Sequence, residues 1–353
     1  MALFERISVL LAEDQEFLRT MLREVSRAAG FRNIKTVSNG KEGIDYLASL
    51  SQPGRSAALS NVDILVTDVF MQPTDGLELL RWIRQDPRSP NRFLPVLMIS
   101  GAADQDVVGR ARDLGVTEFV AKPFSVNSLL EKIFAICERP RPFVLTDAYF
   151  GPDRRRRDVG AQGTERRTRE AKDVRVFRAQ QKNLAGARGQ TWMFDLPNVL
   201  KPRLDIAGQV PGQPIDLSKE IALAESIMKE AEKDARSWLD TMVERLGVLL
   251  ADLGRENADR VSAVKEIHGL AHELRGAGGI FGFPLVTQFG KSLYVWTDAA
   301  VPVRSETIDM VRAHIEVIRI TIRQGIKVDN DRFAIEIKSI LDRAIRKFES
   351  HTA

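Results

Sequence analysis

Cysteine is nearly absent from this chain. Cys137 is the only one in 353 residues, so no disulfide can form within it. Its place late in a helical stretch reads as a small apolar filler. Long apolar runs are missing too. No run approaches the roughly 18 residues that a membrane span requires. The opening stretch "MALFERISVLLAEDQEF" carries no cationic, apolar, small-residue leader and passes straight into a strand pattern. Together these absences predict a cytoplasmic protein with no membrane span. Aromatics make up 7% of residues, and none interleave the basic stretches in the way nucleic-acid binding favours. What remains is globular composition, 44% hydrophobic and 28% charged, in a chain long enough for two domains and a linker.

Residues 1–138 alternate short apolar runs with helix-period stretches. "ISVLLA", "DILVTD", "FLPVLMIS" and "TEFVAK" read as strands, with "NIKTV" a weaker fifth. Their unbroken apolar character suits a parallel sheet covered on both faces. Helical patterns at 15–29, 40–50, 75–86, 104–114 and 126–138 separate them. This order predicts an α/β doubly wound domain with a parallel five-stranded sheet.

Residues 139–215 lose that order and are rich in Arg, Pro and Gly. They are expected to form a basic, largely disordered linker. The run Arg154–Arg157 makes an acidic partner conceivable, while a nucleic-acid partner is not expected. Residues 216–353 are helical in pattern throughout. One stripe runs from Ile227 to Leu250, and four further helices are expected at about 259–277, 283–297, 304–324 and 330–349. Short breaks between them favour an antiparallel, all-α four-helix bundle over a long coiled coil.

In open parallel sheets, sites form at the carboxyl ends of the strands. The first strand ends in Glu13 and Asp14, the third in Asp68, the fourth in Ser100, and the fifth leads into Lys122-Pro123. Carboxylates gathered in one place call for a cation, and oxygen ligands with an open, hydrated site suit Mg²⁺. A carboxylate can attack a phosphoryl group and form an acyl phosphate. The lysine and the hydroxyl would then neutralise and hold its oxygens.

The elements "LLAED", "ILVTDVFMQPTDGLELL", "VLMISG" and "FVAKPF" resemble those of a response-regulator receiver domain, over residues 5–138. The resemblance implies a flavodoxin-like fold with Asp68 as phosphoacceptor. It implies Mg²⁺ on Glu13, Asp14, Asp68 and the Phe70 backbone carbonyl, and Lys122 against the phosphoryl group. Ser100 and Phe119 match the family's switch pair. Gln72 intervenes where the family usually runs Met-Pro, so the local loop departs from the pattern. Phe70 is bulky where polar side chains are common, and it borders the path of a water attacking the phosphoryl group.

The stretch "IHGLAHELRGAGGIFGF", residues 267–283, sets two of the four histidines one turn apart, with an arginine and several glycines after them. A neutral imidazole is nucleophilic near neutral pH. Arg275, three positions after His272, can pair with phosphoryl oxygens. Gly276, Gly278 and Gly279, read as mid-helix residues, predict close approach by another domain, because each costs about 1 kcal/mol relative to alanine. His-x-Leu-Arg-Gly followed by Phe281-Gly282 resembles the histidine-containing phosphotransfer (HPt) domain, over roughly 220–350. That resemblance implies that His272 carries phosphoryl, with Arg275 and Gly276 beside it, and that the bundle has four helices. His268 lacks the Leu-Arg-Gly sequel and is expected to be a neighbour that tunes the site. No third ligand stands near the two rings, so no metal is expected there. About 80 residues follow His272, with no glycine-rich ATP-binding region, so this chain would exchange phosphoryl with aspartates rather than use ATP. The expected partners are a sensor histidine kinase, another response regulator, or the chain's own other half. The alternative is a response regulator whose helical domain docks or dimerises under phosphorylation control.

Overall fold

A computed structural model of the chain describes residues 3–50, 62–101, 105–154, 175–177, 192–204, 216–255, 259–327 and 332–352. Two compact units result, residues 1–228 and 229–353.

The first unit begins with a five-stranded, all-parallel sheet in the order β2-β1-β3-β4-β5. The strands are β1 (Ser8–Ala12), β2 (Asn33–Val37), β3 (Ile64–Asp68), β4 (Val96–Gly101) and β5 (Glu118–Lys122). Helices α1 (Glu16–Ala28), α2 (Gly40–Ser49), α3 (Gly76–Gln85), α4 (Gln105–Asp113) and α5 (Val126–Glu138) connect and follow them. All five residues of β3 are buried, as strands covered on both faces require. The sheet's apolar side chains meet α2, α3 and α4 in one core that includes Leu10, Leu65, Leu79, Ile83 and Met98. Helix starts follow local chemistry. Asn39 accepts from the Glu42 amide, and Asp75 and Glu78 form a reciprocal capping box on α3. The thiol of Cys137 is buried in α5, and burial pushes it up to about 12, so it is an inert filler.

The span expected as an unstructured linker carries a second sheet. Short strands β6 (Phe143–Leu145), β7 (Phe150–Pro152), β8 (Arg175–Phe177) and β9 (Trp192–Phe194) pair in the order β7-β6-β9-β8. Phe143, Phe150 and Phe194 bury their rings around Phe93, which precedes β4, at centroid distances of 5.1, 5.3 and 5.6 Å. Arg84, at the end of α3, is fully buried under this cluster. Its guanidinium donates to the carbonyls of Gly115 and Arg92 and lies 5.1 Å from the Phe143 ring. Gly115 sits at φ +88°, and a Cβ there would come within 2.7 Å of the Phe150 carbonyl oxygen, so β7 lies directly on the turn into β5. Farther along, Arg203 clasps Asp63 at 2.6 Å, and Asn198 donates to the last carbonyls of α5. The apolar residues responsible come in triplets, too few to show a period of two. The Arg-rich residues 155–174, with 178–191 and 205–215, lie outside the described residues.

The second unit is helical. Its elements are the later part of α6 (Ser218–Leu253), then α7 (Arg260–Ala277), α8 (Pro284–Trp296), α9 (Ser305–Arg323) and α10 (Arg332–Thr352). Consecutive helices from α7 onward pack on one another. His314 is fully buried on α9, its ring between the Met310 carbonyl and the Ser292 hydroxyl, and burial pushes it down to about 4. It is a satisfied core histidine.

Candidate functional site

The parallel sheet delivers the expected residues to the carboxyl ends of its strands. Asp68 ends β3, Lys122 ends β5, Ser100 lies near the end of β4, and Glu13 follows β1 directly. All four are buried. The Lys122 ammonium stands 3.3 Å from Asp68 Oδ2 and 3.7 Å from Glu13 Oε2. Asp68 Oδ1 accepts the Val69 amide at 2.8 Å. Each of its oxygens therefore faces a donor or a cation.

Burial pulls the Lys122 ammonium downward, but Asp68 and Glu13 outweigh it and hold the group above its ordinary range. Glu13 is shifted upward as well, which favours its neutral form. Burial, opposed by Lys122 but reinforced by Asp68 and Asp14, pushes its carboxyl up to about 8. Lys122 thus pairs chiefly with Asp68, the nearer carboxylate.

Asp14 turns aside, its Oδ2 accepting the Gln72 amide at 3.1 Å. No three acidic, histidine or cysteine side chains stand close enough to share a metal ion among the described residues. Asp14 still acts electrostatically on both Glu13 and Lys122, so the acidic turn, Asp68 and the ammonium share one neighbourhood. The donor chemistry still fits Mg²⁺, which keeps several waters and takes only one or two carboxylates with substrate phosphate oxygens. Glu13, buried beside Asp68 and Asp14, fits that role.

Ser100 is fully buried, and its hydroxyl has no hydrogen-bond partner among the described residues. Phe119 and Phe70 are half-buried against the domain core. Two residues at this site went unrecognised in the sequence. Arg19, in α1, donates from one nitrogen to the Glu13 and Asp14 carbonyls at 2.8 and 3.0 Å, which fixes the acidic turn. Gly76 opens α3 directly against Asp68. A Cβ there would fall 2.1 Å from the Asp68 carbonyl oxygen. Gly76 belongs to the quoted stretch "TDGLELL", but only the fold shows what it touches.

On α7, His272 and Arg275 are half-buried, one turn apart. Two of the three glycines after them, Gly278 and Gly279, do not continue the helix. Helix α7 ends at Ala277, Gly278 caps it, and Gly279 lies in the following turn. Gly278 is approached by this chain's own α8, since a Cβ there would meet the Thr287 amide at 2.9 Å. Gly276 remains within α7, half-buried, next to Arg275.

The receiver-domain reading meets independent comparison here. The profile of the response regulator receiver domain matches residues 9–134. The chain is 34% identical over 133 residues to the chemotaxis protein CheY of Pseudomonas aeruginosa, covering 38% of this chain and 98% of CheY. It is 30% identical over 125 residues to the transcriptional regulatory protein PdtaR of Mycobacterium tuberculosis, covering 35% of this chain and 54% of that protein. The chain belongs to the response regulator receiver family, with its receiver domain in the N-terminal portion. No helix among the described residues is long and apolar enough to cross a membrane.

Proposed function

We propose that this chain is a two-component phosphorelay protein that accepts phosphoryl on Asp68 and carries phosphoryl on His272. The Lys122 ammonium, 3.3 Å from the Asp68 carboxylate in a buried pocket, carries the first half of this reading. A carboxylate oxygen of Asp68 attacks the phosphorus of a phosphohistidine on a partner kinase or regulator. The new P–O bond forms as the P–N bond breaks, and the electron pair returns to the donor's imidazole nitrogen. Lys122 meets the phosphoryl oxygens, and Ser100 turns its hydroxyl toward them, with Phe119 following as the switch. Glu13, Asp14, Asp68 and the Phe70 carbonyl would hold Mg²⁺, which when bound neutralises charge on the transferring phosphoryl group.

Because Gly76 touches Asp68, Gly76→Ala should displace the acceptor. A shift of about 1 Å would lower the phosphorylation rate by about 100-fold. Stopped-flow or label-uptake kinetics with a small phosphodonor measures it. An unchanged rate in a folded variant would mean that Gly76 does not fix the acceptor.

For the helical unit, the His-x-Leu-Arg-Gly sequence on α7 supports phosphoryl exchange at His272 in an HPt-type four-helix arrangement, with Asp68 among the exchanging aspartates. Arg275, one turn on, can meet the phosphoryl oxygens. One observation favours a second reading. The Nε2 atom of His272 is buried. A covered nitrogen suits a helical domain that only docks or dimerises when Asp68 is phosphorylated. Treating the full chain with acetyl phosphate and Mg²⁺, then mapping label by peptide, separates the two readings. Alkali-labile label on Asp68 together with acid-labile label on His272 supports the relay. Label confined to Asp68 supports docking, and label on neither removes both.

A further inference from the structure

The covered nitrogen of His272 has an identifiable neighbour. Three side chains of α7, spaced by four and then three residues, gather on one ring of α8, that of Tyr294. His268 stacks on it at 3.9 Å with planes 28° apart. The Arg275 guanidinium carbon lies 4.6 Å from its centroid. The His272 ring stands 5.7 Å away and tilted by 56°. The spacing i, i+4, i+7 places the three on one helix face, so a single aromatic ring can meet all of them.

His268 is itself fixed. The Thr297 hydroxyl donates to the Leu293 carbonyl at 2.8 Å, so its oxygen accepts from His268 Nδ1–H at 3.2 Å. Burial, opposed by Asp298, holds the His268 ring toward its neutral form. A neutral ring with a defined tautomer, flat against Tyr294, is a rigid support rather than a second acceptor. Arg275 is the charged member. Its guanidinium is the group expected to meet phosphoryl oxygens, and here it rests on an aromatic face instead.

We infer that Tyr294, held by His268 and Arg275, is a cover over Nε2 of His272, and that an approaching phosphoryl group opens it by drawing Arg275 away. This inference deepens the phosphotransfer reading of His272 and rests on it for its purpose, though not for its geometry. Tyr294 is a positioning residue. It does not touch the transferred group, and it sets how often the imidazole is available. The ligand that opens the cover is an acyl phosphate, a dianion able to compete with a neutral ring for a guanidinium. In the transfer that follows, the imidazole nitrogen attacks phosphorus. The P–N bond forms as the P–O bond breaks, and the aspartate leaves as carboxylate. A cover of this kind keeps His272 from reacting with small phosphodonors while admitting a receiver that brings a phosphoryl group to Arg275.

The experiment measures imidazole accessibility without phosphotransfer. The full chain is treated with diethyl pyrocarbonate, which acylates accessible imidazole nitrogens, and the rate at His272 is followed by peptide mass. If the open state is about a tenth of the population or less, Tyr294→Ala should speed modification of His272 by about tenfold or more. Tyr294→Phe keeps the ring and should leave His272 protected. Arg275→Gln should raise the rate in the same direction, and it serves if Tyr294→Ala fails to fold. Fully buried His314 provides the internal control for folding. Wild-type His272 reacting like a free imidazole, or both Tyr294→Ala and Arg275→Gln leaving its rate unchanged in folded chains, would overturn the inference. Failure of the relay reads differently. In that case Tyr294→Ala exposes His272 to the reagent, yet His272 takes no phosphoryl from a loaded receiver.

Discussion

Replacing Lys122 by alanine should slow phosphorylation of Asp68 by about 100- to 1,000-fold, the range seen when one preorganised charge-stabilising group is lost. The reason lies in burial. Lys122, Glu13 and Asp68 are all within 4% of complete burial, so water cannot replace the missing ammonium. Negative charge on the transferring phosphoryl oxygens would lose the side-chain cation that stands beside the Asp68 carboxylate. Asp68→Asn removes the nucleophile itself and should abolish label uptake, which fixes the zero of the scale. Label uptake from a small donor, at matched protein concentration and with thermal unfolding as a folding control, measures both. Lys122→Ala retaining more than about a tenth of the wild-type rate would mean that other groups carry the charge stabilisation.

Substituting Phe150 by alanine should lower the stability of the first unit by about 3–5 kcal/mol, as truncation of a buried phenylalanine does. That corresponds to a fall of roughly 10 °C in its thermal transition. Phe150 lies outside the conventional receiver elements, in a span whose composition reads as linker. Yet its ring packs on Phe93 and Phe143, the Arg92 guanidinium lies 4.6 Å from its centroid, and its carbonyl abuts Gly115. A residue in an unstructured linker would change stability by no more than about 0.5 kcal/mol. Calorimetry of the full chain distinguishes these outcomes. By the same reasoning a receiver fragment cut at residue 140 should be less stable than one cut after Arg203. The shorter piece loses the aromatic partners of Phe93 and the Phe143 ring over Arg84, and it leaves the buried Asp63 without its arginine.

The receiver fold is legible in the sequence because its strands are continuous apolar runs and its acids stand where those runs stop. Asp68, Lys122 and Ser100 follow from that rule alone. The second sheet is not legible, since three-residue strands carry no periodicity and their aromatic rings are scattered among arginines and prolines. The acidic turn shows a different limit. Spacing places Glu13, Asp14 and Asp68 together, but it cannot reveal that a buried ammonium stands between two of them while Asp14 turns to the Gln72 amide. On α7, the expected end near residue 277 matches the observed Ala277, so Gly278 and Gly279 fall beyond the helix rather than within it. Tyr294 lies 22 residues beyond His272, and only the packing of α8 on α7 brings the two rings together.

The measurement that most directly tests whether both halves handle the same phosphoryl group uses two full-length variants. The His272→Gln chain is loaded on Asp68 with a small phosphodonor, freed of donor, and mixed with the Asp68→Asn chain. Label should move to the second chain and become acid-labile and alkali-stable there, and it should move faster when Tyr294→Ala is added. If Asp68 is loaded and both chains are folded, yet no label reaches His272 with or without Tyr294, the relay is contradicted and the helical domain is a docking module.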